Sequence, residues 1–374
     1  MIQETNQTWT PPPNLKISDW ADAYRKLSPE SSAEAGAWRT DRAPYQREIM
    51  DSFNDPDIQR IVFSKSAQIG ATEILLNVIG YYIDQDPAPM LIMQPTLQMA
   101  QAFSKDRLAT MIRDSEKIRD CVKDPRSRDS GNTVLSKKFA GGNLNIVGSN
   151  SASGLASRPI RIVLADEVDR YESSAGAEGD PISLATKRTT TFWNKKIYMC
   201  STPTIKGLSR IETAFEESDK CYYHVPCPEC NVKQVLKWKN VVWDENKPET
   251  ANYACDECGS IIDESKKQWM LKHGEWIASE QKSDTAGFHI SELYSVWSTW
   301  ADMAKSFLEA KKNPEMLKTW INTALGESWE EQGDAVDHET LLSRRLNYDY
   351  TTIPEDVLVL TAGVDTQKDR LELQ

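Results

Sequence analysis

An apolar stretch that ends in two adjacent carboxylates constrains the fold of this chain more than any other feature. The stretch, residues 162–165, runs directly into Asp166 and Glu167. In sites that hydrolyse nucleoside triphosphates, the first such carboxylate holds Mg²⁺, directly or through water, and the second polarises the attacking water. The pattern also fits a buried strand that runs into a solvated loop, so it needs a phosphate-binding partner elsewhere.

That partner is a loop that follows an earlier β-rich run and precedes apolar residues at helical spacing. It departs from the usual G-x-x-x-x-G-K-[ST] pattern, because Lys65 stands in the position of the first glycine and Ala71 in that of the lysine. A phosphate loop needs backbone amides at a helix N-terminus, one cation and one metal-binding hydroxyl. Lys65 can supply the cation and Thr72 the hydroxyl. The residues expected around the phosphates and the metal are Ser64, Lys65, Ser66, Ala67, Gln68, Ile69, Gly70, Ala71, Thr72 and Asp166.

Two further apolar runs, residues 89–93 and 196–201, are each followed by helical sequence. Alternating strands and helices predict a parallel sheet, and the loops at the carboxyl ends of such strands line a nucleotide cleft. Ser201 and Thr202 end the second run one strand after the acidic pair. This position favours a role in the site over a plain turn.

A lysine at the front of the phosphate loop, with the acidic pair behind it, resembles the tailed-phage terminase large subunit, in particular the lambda-like GpA family. The resemblance runs from about Tyr45 to the C-terminus. It implies an α/β fold, a P-loop NTPase of the RecA-like (ASCE) class with a parallel sheet flanked by helices, that binds ATP and Mg²⁺. It also implies that Gln46 reads the adenine, that residues 93–96 form the second core strand and its loop, and that Ser201 and Thr202 couple hydrolysis to movement.

The resemblance further implies an arginine that acts on the transferring phosphoryl group. Gln68 stands in the part of the loop where many terminases carry an arginine. Arg158, just before the acidic strand, stands where related packaging motors place an arginine that reaches into the neighbouring subunit's site. An equally good interpretation is that Arg158 or Arg161 is a surface cation that contacts DNA or solvent.

Four of the seven cysteines form two C-x₂-C pairs, Cys227 with Cys230 and Cys255 with Cys258. Two such pairs at this separation predict a four-thiolate Zn²⁺ site, closed and therefore structural. Disulfides or a redox pair are the alternatives, and an intracellular chain would keep its thiols reduced.

Between the cysteine pairs, residues 235–238 and 241–243 alternate like short hairpin strands, which predicts a zinc ribbon whose metal substitutes for a core. The aromatic-rich residues 287–331, helical in their second half, predict a packed connector. We therefore divide the chain into an N-terminal arm and linker (1–43), an ATPase core (44–218), a zinc ribbon (219–265), a connector (266–355) and the first strand of a truncated nuclease domain (356–374).

Near the end of the chain an apolar run leads into Asp365, and residues 365–372 resemble the opening hairpin of the family's RNase H-like nuclease. That resemblance implies that Asp365 is the first carboxylate of a two-metal site, whose other acids are expected beyond Gln374. The intact protein is therefore expected to cut DNA concatemers with divalent metals. These 374 residues alone are not.

The net charge of −12 argues against nonspecific coating of DNA, but not against a local basic channel. Candidate channel cations are Lys137, Lys138, Lys187, Arg188, Lys195 and Lys196. No apolar run reaches membrane-spanning length and no signal peptide is evident, which predicts a soluble intracellular protein that is not in a membrane. The resemblance implies that it acts in the host cytoplasm and is absent from the mature virion.

The resemblance implies double-stranded DNA, the small terminase subunit and the capsid portal as partners, with a homo-oligomeric ring on the portal. Trp9, Trp20 and Trp38 are unusual in a linker. They predict that the N-terminal arm docks, either onto the small subunit or onto the chain's own ATPase domain.

The sequence thus predicts an ATP-driven motor that packages double-stranded DNA into a procapsid, with hydrolysis at Lys65, Thr72, Asp166 and Glu167. A superfamily 2 helicase is one alternative, but it would need a second motor domain where zinc ligands and a connector follow Ala214. A zinc-ribbon nucleic-acid adaptor is the other, and its degenerate loop would no longer support hydrolysis.

Overall fold

The computed structural model describes residues 15–30, 32–122, 131–156, 158–281, 284–331, 364–366 and 371–373. The chain divides into two compact units, one that ends at Glu330 and one that begins at Glu331. Among the described residues, no helix combines the length and the apolar character that crossing a bilayer requires.

The first unit alternates strands and helices along most of its length. Its strands are β1 (Lys26–Leu27), β2 (Gly36–Ala37), β3 (Arg60–Lys65), β4 (Pro89–Gln94), β5 (Ser136–Phe139), β6 (Gly142–Gly148), β7 (Ile162–Asp166), β8 (Lys196–Ser201), β9 (Cys221–Pro226), β10 (Lys233–Val235), β11 (Val241–Asp244), β12 (Lys247–Ala254), β13 (Ile261–Ile262), β14 (Glu275–Ala278) and β15 (Thr285–Ile290). Its helices are α1 (Ile17–Tyr24), α2 (Gln46–Asp51), α3 (Ala71–Asp84), α4 (Leu97–Ala102), α5 (Ala109–Asp114), α6 (Glu116–Cys121), α7 (Ala152–Ala156), α8 (Pro181–Lys187), α9 (Arg210–Glu216), α10 (Lys267–Lys272), α11 (Trp300–Ala310) and α12 (Pro314–Trp320). Two π-helical segments, Phe103–Leu108 and Ile321–Leu325, continue α4 and α12.

A large sheet organises this unit, with the strand order β10-β9-β15-β3-β8-β7-β4-β6-β5 and with β14 also paired to β9. All neighbours from β9 to β6 are parallel. The edge strands β5, β10 and β14 are antiparallel to their partners. The strand β7 is buried at every position, as expected for a parallel strand covered on both faces. The predicted α/β fold with a parallel sheet is confirmed.

The sheet continues past residue 218, where the sequence analysis ends the ATPase core. The strand β15 lies in the predicted connector, yet it pairs in parallel with β3, with Phe288 opposite Phe63. The predicted helical second half of the connector is present as α11 and α12. The pairing of β15 escapes sequence reasoning because its partner lies more than 200 positions away, so no local pattern reports it.

The segment assigned to an arm and linker is folded from residue 15 onward. Helix α1 packs on α2 and α3, and the fully buried Trp20 donates from Nε1 to Asp84 Oδ2 at 2.8 Å. A Cβ on Gly80 would lie 2.2 Å from Trp20 Cη2, so the indole needs the missing side chain to reach helix α3. Trp38 is also buried, whereas Trp9 lies outside the described residues. The sequence analysis gave two surfaces on which the arm could dock. Trp20 and Trp38 pack on one of them, the chain's own domain.

The strands near the cysteines pair differently from the predicted hairpin. Residues 233–235 form β10 and join β9 in the large sheet, while β11 pairs with β12. The turn between β11 and β12 is the two-residue segment Glu245 and Asn246, in which Asn246 has a φ of 59°. Asparagine tolerates this left-handed conformation, which tight hairpin turns require. The strand β13 completes a three-stranded antiparallel sheet.

In the second unit, β16 (Val364–Thr366) and β17 (Leu371–Leu373) form an antiparallel pair, with Asp365 opposite Glu372. This pairing agrees with the hairpin expected at the start of a nuclease domain. Residues 357–363 of the predicted strand lie outside the described residues.

Candidate active site

Four parallel strands end at one edge of the sheet, and each ends in a polar side chain. These residues are Lys65 on β3, Ser201 on β8, Asp166 on β7 and Gln94 on β4. The strand β8 lies between β3 and β7, so it separates the strand of Lys65 from that of Asp166. Because the four strands are adjacent and parallel, their last side chains converge on one site.

Glu167 and Lys65 form an ion pair at this edge, with Lys65 Nζ 2.8 Å from Glu167 Oε1. Both side chains are largely buried, at 6% and 20% exposure for Lys65 and Glu167. Burial, the largest single influence, would lower the pKa of Lys65, but the charge of Glu167, its hydrogen bond to Lys65 and the nearby Cys200 and Asp166 together outweigh burial and raise that pKa. The second carboxylate oxygen of Glu167 lies 3.5 Å from Ser201 Oγ and 3.7 Å from Arg170 Nε. Lys65 is therefore a charged group whose carboxylate partner is in place.

Asp166 is more deeply buried than Glu167, and neutral donors contact it. Gln94 Nε2 donates to Asp166 Oδ2 at 3.0 Å, and Cys200 Sγ donates to Oδ1 at 3.1 Å. Burial and then the neighbouring charge of Glu167 raise the pKa of Asp166. Lys65 and Arg170 both lie beside Glu167, whereas the described contacts of Asp166 are neutral, so a divalent cation beside Asp166 would balance its charge.

The loop between β3 and α3 is anchored at its front and open at its end. The N–H of Ser66 donates to Ile290 O at 2.9 Å, and the N–H of Ala67 donates to Thr323 O at 2.7 Å. Further along, no described residue accepts from the backbone N–H groups of Gln68, Ile69, Gly70, Ala71 and Thr72. Five consecutive free amides at the start of a 14-residue helix form an array that suits an anion.

Left-handed backbone shapes this open part of the loop. Gln68 has a φ of 55° and Gly70 a φ of 85°. A Cβ on Gly70 would lie 2.2 Å from Gln46 Nε2, so Gly70 is required by conformation and by space. Thr72 is the second residue of α3 and half-buried, whereas Ser64 lies within β3 and is buried.

Gln46 contacts the loop from α2. Its Nε2 donates to Ile69 O at 3.1 Å, and Tyr45 Oη donates to the same oxygen at 3.4 Å. Gln46 Oε1 is buried and has no hydrogen-bond partner among the described residues. The structure thus places Gln46, the predicted adenine-reading glutamine, against the loop, and its Oε1 is an acceptor without a donor among the described residues.

The arginines of the sequence analysis lie in different surroundings. Arg158 is exposed, and its Nη1 donates to Asn145 Oδ1 at 3.3 Å. Arg161 precedes β7 and pairs with Asp86 with only 12% of its side chain exposed, so the interpretation of Arg161 as a free surface cation is wrong. Arg170, which lies near Glu167, was not singled out from the sequence.

Two of the candidate DNA-channel cations are buried structural groups. Lys137 Nζ donates to Thr133 O at 2.6 Å, and Lys196 Nζ donates to the carbonyls of Asp55 and Ile58. Both side chains lie on strands and have little contact with solvent. The prediction that they line a channel is wrong, because β-strand burial directs them into the protein.

Ser201 and Thr202 connect the acidic edge to the following segment. Ser201 contacts Glu167 and also donates to Thr202 O at 2.9 Å. Thr204 Oγ1 donates to Asp169 Oδ2 at 3.0 Å. Gln94, Cys200 and the carbonyls of Ile290 and Thr323 complete the site. The two carbonyls have no signal in sequence.

The four cysteines of the C-x₂-C pairs meet in one cluster, with all Sγ atoms within 4.8 Å of one another. The Sγ atoms of Cys227 and Cys258 are 3.9 Å apart, and those of Cys230 and Cys255 are 3.8 Å apart. Four sulfurs about 2.3 Å from a tetrahedral Zn²⁺ lie roughly 3.8 Å apart, whereas a disulfide needs about 2.05 Å. The cluster is compatible with a zinc site.

Both cysteine pairs use the same tight turn. The N–H of Asn231 donates to Cys227 O, and the N–H of Gly259 donates to Cys255 O. Asn231 and Gly259 have φ values of 62° and 70°, so each turn closes through a left-handed residue.

Comparisons with known proteins identify the family of this chain. The family model for the phage terminase large subunit gpA, ATPase domain, matches residues 32–276, and the model for the endonuclease domain of that subunit matches residues 285–374. The chain belongs to the GpA family of phage terminase large subunits. It is 33% identical to the terminase large subunit of Enterobacteria phage P21 over 389 residues, and 29% identical to that of Escherichia phage lambda over 394 residues.

Both alignments cover 97% of this chain, which spans 60% of the length of either relative. Among solved structures, the ATPase domain of the Thermus phage P74-26 large terminase aligns with a TM-score of 0.43 and 13% identity. That alignment covers 77% of this chain and 96% of the P74-26 chain. The family assignment rests on the sequence matches.

Proposed function

We propose that this chain is the ATP-hydrolysing motor of a terminase large subunit, which drives double-stranded DNA into a phage procapsid. The observation that supports this most is the Lys65–Glu167 contact beside a loop with five free amides. The order of β3, β8 and β7, with the loop between β3 and α3, supports a RecA-like P-loop fold.

In this proposal the loop and Lys65 hold the phosphates of ATP. The free amides from Gln68 to Thr72 donate to phosphate oxygens, and the Lys65 ammonium adds a positive charge. Lys65 has three N–H donors, so it can contact a phosphate while it keeps one bond to Glu167.

Thr72 and Asp166 are the residues that would hold Mg²⁺. The ion, when bound, neutralises charge on the phosphates. Asp166 fits this task, because it is a carboxylate whose described contacts are the neutral donors Gln94 and Cys200. Glu167 then accepts a proton from the attacking water, as a carboxylate held at the site by Lys65 and Ser201 can do.

A path for coupling leads away from Glu167. Ser201 contacts both Glu167 and the backbone of Thr202, and Thr204 O accepts from Asn322 Nδ2 at 2.6 Å and from Trp329 N at 2.8 Å. A change at Glu167 on hydrolysis can therefore reach the segment that follows α12. We propose that Ser201 and Thr202 transmit it.

We propose that Cys227, Cys230, Cys255 and Cys258 hold a structural Zn²⁺. Four thiolates leave no open coordination position, so the ion stabilises the fold and takes no part in hydrolysis. Through the cysteines the ion would connect the turn after β9 with the turn after β12.

The remaining roles concern the whole protein. Arg158 is exposed, so we propose it as the arginine that reaches a neighbouring subunit in a homo-oligomeric ring on the portal. We propose Asp365 as the first metal-binding carboxylate of the nuclease that cuts concatemers. The small terminase subunit is the proposed partner for DNA recognition.

The experiment that tests the proposal is steady-state ATP hydrolysis by the parent chain and by Lys65→Ala, with and without linear double-stranded DNA. A motor shows turnover that DNA stimulates and that Lys65→Ala abolishes, with Lys312→Ala, an exposed lysine, as the matched control. An adaptor shows no turnover, and its DNA binding is unchanged in Lys65→Ala. A helicase would separate the strands of a forked duplex.

A further inference from the structure

A cavity of about 770 Å³ lies beside the end of the phosphate loop. The residues that line it include Gly70 and Gln46 of the loop region together with Glu34, Arg42 and Trp297. Its volume falls in the usual range for sites that take a nucleoside-sized ligand.

We propose that this cavity receives the base and ribose of the nucleotide and that Trp297 stacks on the base. The inference rests on the proposed function, because the loop must hold the phosphates for the base to lie here. Trp297 is a specificity-determining residue that neither the sequence analysis nor the motifs of the site include.

The first observation behind this assignment is the exposure of Trp297. Its side chain is 47% exposed, although it lies in a concave site beside the loop. A Cβ on Gly70 would lie 3.5 Å from Trp297 Cη2, so one edge of the indole adjoins the last loop residue. A base whose phosphates occupy the loop would therefore lie within reach of the ring.

The second observation is that the ring is held in position without a ligand. The Arg42 guanidinium lies 6.0 Å from the Trp297 ring centroid, and Arg42 also donates to Val296 O at 3.4 Å. Glu34 binds Arg42 through Nε at 3.0 Å and Nη2 at 2.9 Å. A ring fixed in this way loses little conformational freedom when a base stacks on it.

The third observation concerns Gln46, which lines the same cavity and whose buried Oε1 has no hydrogen-bond partner among the described residues. A buried acceptor without a donor is unfavourable, and the exocyclic amine of adenine is a donor that would satisfy it. The 6-oxo group of guanine would not. Gln46 and Trp297 together provide an edge contact and a face contact for one base.

Trp297 lies outside the residues matched by the ATPase-domain family model and inside those matched by the endonuclease-domain model. It follows β15, whose Ile290 carbonyl accepts from the Ser66 amide. The same segment thus anchors the front of the loop and supplies one wall of the base cavity.

The test compares ligands with and without a base by calorimetric titration. We would measure the binding of MgADP and of magnesium pyrophosphate to the parent chain, to Trp297→Ala and to Trp297→Phe. Loss of a stacking aromatic is expected to weaken MgADP binding about 10- to 100-fold, with pyrophosphate binding unchanged. Trp297→Phe should retain most of the affinity. Trp193→Ala, at an 81% exposed tryptophan that does not line the cavity, is the matched control.

Two results would overturn the inference while leaving the proposed function intact. One is equal MgADP affinity in the parent and in Trp297→Ala. The other is an equal loss for MgADP and pyrophosphate, which would mean that Trp297 only positions the loop. A parent chain that binds neither ligand would overturn the proposed function, and the inference with it.

Discussion

The carboxyl edge of the large sheet and the cysteine cluster each gather a small set of polar side chains, but they do so in opposite ways. Lys65 and Glu167 are 102 positions apart and meet because three adjacent parallel strands end together. The cysteines come from two local turns that the proposed metal would join. The sheet therefore maintains the first site, whereas the second needs its ligand to hold together.

The two sites also differ in their charges. At the sheet edge, the lysine already offsets part of the charge of Asp166 and Glu167. Four thiolates repel one another until a cation binds. We therefore expect changes at the sheet edge to affect chemistry, and changes at the cysteine cluster to affect stability.

The largest effect should follow removal of a cysteine ligand. Cys255→Ser replaces a buried thiol that accepts from Gln234 Nε2 at 3.5 Å. We expect loss of bound zinc and a fall in Tm on the order of 10 °C, because the metal substitutes for a core. Calorimetry and zinc quantification measure both. Cys121→Ser, outside the cluster, is the matched control, and full zinc content with an unchanged Tm in Cys255→Ser would refute the structural role.

Next in size is the effect of Glu167→Gln on turnover. Loss of the proton acceptor should lower the rate of ATP hydrolysis about 10²- to 10⁴-fold. The amide still offers an oxygen to Lys65 Nζ, so Tm should change by much less than in Cys255→Ser. Glu178→Gln, at an exposed glutamate, is the control. If Glu167→Gln lowered Tm as far as Cys255→Ser does, the charges rather than the sheet would hold this edge together.

A smaller effect at the sheet edge is expected for Gly70→Ala, which should lower both the folding stability and the affinity for ATP. Gly70→Ala imposes a side chain on a left-handed residue at φ 85°, at a strain of about 1–2 kcal/mol, and its Cβ would displace Gln46. Gly207 has a φ of 79° with nothing within 4 Å, so Gly207→Ala carries the same strain without the collision. We expect Gly70→Ala to lose more stability than Gly207→Ala in denaturant titrations, because the collision with Gln46 adds to the shared strain. Only Gly70→Ala should raise the Kd for ATP, and an equal Kd in the two variants would contradict the placement of Gln46.

How far sequence reasoning reaches can be judged from the same two sites. The acidic pair, the lysine and the four cysteines lie in short motifs, and the structure brings the members of each set together. A polar residue at the end of an apolar run is a local signal, and parallel strands then align such residues without further information. The spacing of the cysteine pairs is local in the same sense. The roles of these residues stay predictions.

What sequence reasoning missed depends on distant partners. The strand β15 is a neighbour of β3 only in the fold, and Trp20 is buried only because Gly80 leaves room for its ring. Trp297 likewise lies beside Gly70 only in the fold, because the two residues are distant in sequence. The β11–β12 hairpin is a different case, since Asn246 at its turn was a readable local signal.

The smallest predicted effect compares the two buried lysines of neighbouring strands. Lys65 ends β3 with a carboxylate partner, whereas Lys196 begins β8 with the carbonyls of Asp55 and Ile58. Burial lowers the pKa of Lys196 from 10.5 to about 8. Between these values the unfolded chain binds more protons than the folded chain, so the contribution of Lys196 to stability rises with pH.

Relative to Lys196→Met, the parent chain should therefore gain about 1–2 kcal/mol of unfolding free energy from pH 8 to 10.5, after allowance for solvent screening. Denaturant titrations of both chains across this window measure the difference. Lys65 has a raised pKa, so its contribution is complete below 10.5 and is lost only as the pH rises through its folded value. The comparison of the parent with Lys65→Met should thus show no rise between pH 8 and 10.5. A flat difference for Lys196→Met as well would mean that solvent reaches the Lys196 ammonium and that burial does not lower its pKa.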